Sequence, residues 1–124
     1  MTRPRLIVPA KLLSHAAGDE VVAREVLALF RDHAGDWAES VRAAQSLVEM
    51  RQASHRIVGA ARGIGAEAVA ALAATIERAE ALEAGRAEAE RLVPLMQALL
   101  AEIDMLLASA AQLGETGAGR GIPA

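Results

Sequence analysis

The chain has 124 residues, enough for one domain and too few for two comfortable ones. Apolar residues make up 53% of it and aromatics only 2%, Phe30 and Trp37 being the whole aromatic set, so a core has to come from aliphatic side chains, with helix-forming Ala and Leu prominent and little from which to build a sheet. The absence of cysteine excludes disulfides, thiolate zinc sites and cysteine nucleophiles and makes a reducing cytoplasm the default expectation, while a net charge of −3 argues against a protein that grips phosphate backbones.

Residues 1–8 read as an N-terminal extension. Its apolar run is interrupted by Pro9 and Lys11 and is too short for a signal peptide, and no stretch of the chain is expected to reach the roughly 20 apolar residues that span a bilayer. A short helix is predicted over 9–17, with Leu12, Leu13 and Ala16 on one side and Gly18 closing it. Asp19 then offers an N-cap. From 20 to about 46, Val22, Val26, Leu27, Leu29, Phe30, Ala34, Trp37, Val41 and Ala44 recur at helical steps, with a bend expected at Gly35. The third helix covers 47–63 and stops at Gly63-Ile64-Gly65. A fourth runs over 66–84, turning Val69, Leu72, Ala73, Ile76, Ala79 and Leu82 inward, with Gly85 as its end and the Glu-rich stretch from Glu67 to Glu90 as a solvated face. The last covers 86 to about 113, with Leu92, Leu95, Met96, Leu99, Leu100, Ile103, Leu106 and Leu107 inward and a kink at Pro94. Four glycines and a proline in the final eleven residues predict a flexible tail over 113–124. The fold expected over 9–112 is therefore all-α, an antiparallel four-helix bundle with a short additional N-terminal helix. Stripes buried internally give no reason to expect anything but a monomer.

One residue stands apart from this packing pattern. With Ile57 at the centre of the third helix's buried stripe and about 100° per residue, Met50, Ala53, Ala60, Ala61 and Ile64 fall within about 60° of it. His55 and Gly59 point almost the opposite way. A glycine inside a helix costs about 1 kcal/mol relative to alanine, so Gly59, one turn beyond an outward imidazole, suggests that something approaches the helix closely there. Neutral imidazole is a nucleophile near physiological pH. His15 and His33 lie in other helices without metal-ligand spacing, and Gly63 and Gly65 follow no strand, so no metal, nucleotide or other cofactor of the chain's own is expected.

In register, Gly18-Asp19-Glu20, the segment 27–30, Ser54-His55-Arg56-Ile57, Gly59-Ala60-Ala61 and Gly65-Ala66 resemble the histidine-containing phosphotransfer (HPt) domains of two-component phosphorelays, over roughly residues 9–109. The resemblance implies a phosphocarrier in which His55 accepts a phosphoryl group from a receiver-domain aspartate and passes it to another. It implies response-regulator receiver domains and a hybrid histidine kinase as partners, with Mg²⁺ on the receiver, and no nucleic acid or membrane. That family usually carries a lysine three residues after the histidine, where this chain has Val58. A phosphoryl group brings about −1.5 to −2 charges. Arg62 and Arg51, within about 40° of His55, are the cations expected to meet it, and Gln52 is a possible hydrogen-bond donor. Arg56 extends a basic rim, and Val58 with Val48 is expected to form an apolar docking patch beside it. The alternative carried by Val58 is a non-phosphorylated helical adaptor of the same fold that binds a receiver or kinase domain.

Overall fold

The computed structural model describes the backbone of residues 5–121 and the side chains of residues 5–109. Five helices and no strand occur among the described residues: α1 (Pro9–His15), α2 (Glu20–Arg42), α3 (Leu47–Gly63), α4 (Glu67–Glu77) and α5 (Leu82–Gly121). The short connections between α2, α3, α4 and α5 reverse the chain each time, giving the expected antiparallel four-helix bundle, with α1 as the additional N-terminal helix. Each bundle helix contributes an apolar stripe to one core, Leu27, Phe30 and Val41 facing Met50, Ile57, Val69, Ile76, Leu92, Met96, Leu99 and Ile103.

Local chemistry sets the ends of these helices. The Asp19 carboxylate accepts from the amides of Val21 at 2.9 Å and Val22 at 3.2 Å, capping α2 as its position predicts. Ser46 caps α3 by accepting from the Glu49 amide at 3.1 Å, while the Glu49 carboxylate reaches back to the Gln45 amide at 2.8 Å. At the other end of α3, Ala66 N–H bonds Ala61 O at 2.8 Å and Gly65 N–H bonds Arg62 O at 3.1 Å, the paired pattern of a Schellman stop. Gly65 has φ +75° there, and a Cβ on it would lie 2.9 Å from the Val8 carbonyl oxygen.

The structure moves several predicted boundaries. The α4 helix ends at Glu77 and α5 begins at Leu82, so Gly85 lies inside the first turn of α5 and does not terminate α4. The reason is packing, since a Cβ on Gly85 would collide with the Met50 sulfur; the glycine lets α5 approach α3. Helix α2 runs unbroken through Gly35 and stops at Arg42, and α5 runs unbroken through Pro94. Backbone helix also continues to Gly121 where a tail was expected. Extending a formed helix fixes one residue per hydrogen bond, and no proline intervenes between Pro94 and Pro123 to stop it. Residues 122–124 and the side chains from 110 lie outside the described residues. Val22 and Leu29 are exposed, Leu29 by 58%, because they sit about 140° or more around α2 from Leu27. Over Leu82–Ser109, α5 is long and apolar enough to cross a membrane by length and composition, contrary to expectation; the same segment supplies the core with Ala89, Leu92, Met96, Leu99 and Ile103.

Candidate functional site

Helix α3 presents its histidine on the outside of the bundle. His55 leaves 76% of its side chain exposed, whereas Met50, Ile57 and Ala61 on the opposite face are fully buried. The α3–α4 hairpin brings the end of α4 alongside it. There the His55 Nδ1 lies 2.6 Å from Oε2 of Glu77, the last residue of α4. A carboxylate only accepts, so Nδ1 carries the hydrogen and donates it. In the neutral imidazole the other nitrogen, Nε2, then keeps its lone pair.

This is the arrangement a nucleophilic imidazole needs. A carboxylate at Nδ1 fixes the tautomer and the ring orientation. It also faces the positive charge that develops on the ring when Nε2 forms a bond, as the orienting carboxylate of a catalytic triad does. The stretch holding Glu77 was expected to be a solvated face; half-buried Glu77 departs from that reading. Its recognition from sequence requires knowing how α4 pairs with α3, since twenty-two residues separate it from His55.

The other predicted site residues separate into three groups. Gly59, Gln52, Arg56 and Arg62 are exposed on α3, and a Cβ on Gly59 would meet nothing, so the helix is open to approach one turn from His55. Arg51 is exposed too, but its Nη2 donates to the Ala79 carbonyl oxygen at 2.8 Å. Val58 is only 5% exposed while Val48 is 64% exposed, so the two do not form a docking patch. The cause is the width of the buried arc: α3 packs against α4 as well as α2, and Val58 and Ser54 fall on the α4 side of the Ile57 stripe. Ser54 is fully buried and its hydroxyl oxygen has no hydrogen-bond partner among the described residues.

The remaining histidines have structural surroundings. His15 donates from Nδ1 to the Gly63 carbonyl at 3.2 Å, tying α1 to the end of α3. His33 stacks on Trp37 with ring centroids 5.6 Å apart, and Trp37 in turn meets Phe30 edge-on at 5.5 Å. A cavity of about 430 Å³ between α2 and α5, bordered by Gly35, Arg42, Glu90 and Pro94, includes no residue of α3.

No curated protein and no solved structure matches the chain. The family model described as Hpt domain does, over residues 23–113, a span that contains α3, α4, His55 and Glu77. An exposed, carboxylate-oriented histidine on a helical bundle and a match over most of the sequence lead to one assignment: the chain belongs to the Hpt domain family, whose role is histidine phosphotransfer in phosphorelays, as a phosphocarrier rather than a classical enzyme.

Proposed function

We propose that this protein relays a phosphoryl group between receiver-domain aspartates through Nε2 of His55. The observation that carries this reading is the pairing of Nδ1 with Glu77, which leaves Nε2 both exposed and nucleophilic. In the forward step the Nε2 lone pair attacks the phosphorus of an aspartyl phosphate on a receiver. The N–P bond forms as the P–O bond to the aspartate breaks, and the carboxylate leaves. The ring hydrogen stays on Nδ1 against Glu77, and the reverse sequence loads the next receiver. In-line positioning and charge neutralisation do most of the work in such transfers, and Mg²⁺ on the receiver supplies the latter. The carrier's own contribution is to hold the imidazole steady and leave room around it, which Gly59 provides.

The proposed partners are receiver domains of response regulators and a hybrid histidine kinase, met by a monomeric carrier in the cytoplasm. Exposed Arg56 and Arg62 complement the acidic pocket of a receiver. The adaptor alternative loses its proposed Val48–Val58 docking surface, because Val58 is buried; the valine in the family's lysine position, the feature that favoured it, is what the transfer test weighs.

The test is transfer from a panel of phosphorylated receiver domains of the same host. The reading expects acid-labile, base-stable labelling of the protein by at least one receiver and its loss in His55→Gln. Labelling that persists in that variant refutes His55 as the site, and a receiver that binds without ever transferring establishes the adaptor.

A further inference from the structure

The geometry points to Arg51 as a positioning residue for phosphoryl acceptance at His55, acting through Glu77; this inference rests on His55 being the acceptor. Its starting point is the C-terminal end of α4. That helix has eleven residues and no basic side chain in its last turn. Its closing carbonyls accept backbone amides only, Ala74 O from Arg78 N–H and Ile76 O from Ala79 N–H at 3.1 Å each, and among the described residues no side chain of α4 or of its Arg78 C-cap is hydrogen-bonded there, although such ends are further steadied by a side-chain donor or a nearby cation. Glu77, the residue that orients His55, is the last residue of this helix, and helix ends fray.

Arg51 supplies what α4 lacks from across the hairpin. It lies one turn before His55 on α3, and its guanidinium donates to the carbonyl of Ala79, two residues beyond Glu77, at 2.8 Å. A charge-assisted bond to a carbonyl at a helix C-terminus is stronger than a neutral one and favoured by the dipole. Two parallel rungs therefore link α3 to the end of α4: Arg51 to Ala79, and His55 to Glu77. The first rung holds the α4 terminus at the height where the second can form. With Arg51 removed, the terminus keeps the core packing of Ile76 but loses its only side-chain hydrogen bond to α3 among the described residues other than that of the histidine itself. Glu77 then spends part of its time away from Nδ1, the ring samples the Nε2–H tautomer, and that tautomer has no lone pair at the reacting nitrogen.

Phosphoramidate is the probe, because it phosphorylates an accessible histidine without a partner protein. The Nε2 lone pair forms the N–P bond, the P–N bond of phosphoramidate breaks, ammonia leaves, and the ring keeps its hydrogen on Nδ1. The measurements, on the full chain, are the rate of phosphorylation specific to His55 and the tautomer read from the ¹⁵N shifts of its ring. Arg51→Gln is expected to slow the reaction about three- to tenfold, less than the roughly 10- to 100-fold of a directly lost orienting partner because Arg51 acts through Glu77, and to raise the Nε2–H population. Arg51→Lys, which can still donate to a carbonyl, is expected to recover most of the rate. Glu77→Gln is expected to slow the reaction at least as much, and adding Arg51→Gln to it should change the rate less than twofold, because residues that act through one another are not additive. Losses that multiply in the double variant overturn the proposal, as does an unchanged rate or tautomer in Arg51→Gln. A failure of every receiver to transfer would instead refute the relay reading, since these rates need no receiver.

Discussion

In the proposed relay His55 and Glu77 divide one chemical task between them. The histidine supplies the nucleophile, and the carboxylate 2.6 Å from Nδ1 decides which nitrogen is available. Gly59 contributes by what it lacks. A Cβ there would meet nothing within the protein, and replacing a mid-helix glycine with alanine is worth about 0.5–1 kcal/mol. Gly59→Ala is thus expected to raise the stability measured by urea unfolding by that amount while slowing transfer from a receiver, which has to come close to this turn. A variant more stable and equally fast would show that the glycine does not serve approach. Ser54 makes the complementary case. Its buried hydroxyl has no partner, and an unsatisfied buried polar group costs about 1–3 kcal/mol, so Ser54→Ala should raise the unfolding free energy by about 1 kcal/mol; a loss of stability would contradict the unpaired state.

At the scale of elements, the site is a property of the α3–α4 hairpin. The spacing of apolar residues shows α3 and its outward histidine directly, and the predicted bounds of that helix coincide with the observed Leu47–Gly63. Periodicity does not show what packs on each flank. A single helical wheel turned Val58 outward, whereas the bundle buries it. The same missing information hid Glu77, whose role depends on the pairing of two helices. Gly85 was misread for a related reason: a glycine can stop a helix or let one approach another, and only the Met50 contact distinguishes the two. Gly65 carries the hairpin's turn, with positive φ and the Val8 carbonyl close against it. Gly65→Ala is expected to cost about 1–3 kcal/mol and to weaken the His55–Glu77 bond by shifting the register of α4. Calorimetry together with the His55 ring shifts would check both, and a neutral variant would refute the turn's role.

The whole molecule holds that hairpin rigid from both sides. Helix α1 crosses the turn, with Val8 N–H bonded to Gly65 O at 3.0 Å, Lys11 within 3.3 Å of Glu67 and His15 on Gly63. The segment before α1 is anchored in turn by Glu102 of α5, whose two carboxylate oxygens accept from the amides of Leu6 at 2.8 Å and Ile7 at 3.1 Å. The two Glu102 contacts join residues 96 and 95 positions apart and had no signature in sequence. Glu102→Ala should release the N-terminal segment, costing about 1.5–3 kcal/mol for hydrogen bonds to a charged group and accelerating amide exchange at Leu6 and Ile7. Unchanged exchange there would show that the clamp does not hold the segment. The bundle itself was legible because its helices carry long apolar stripes. The contacts that aim the histidine were not, because each is a single polar pair formed by tertiary structure.

The proposed relay places the phosphoryl group on Nε2 of His55 while Nδ1 remains a hydrogen-bond donor to Glu77. Long-range ¹H–¹⁵N and ³¹P NMR on uniformly ¹⁵N-labelled protein, loaded by a phosphorylated receiver, measures this directly. Phosphorus coupled to Nε2 of His55 and a protonated Nδ1 are expected. Phosphorus on Nδ1, on His15 or on His33 would contradict this placement.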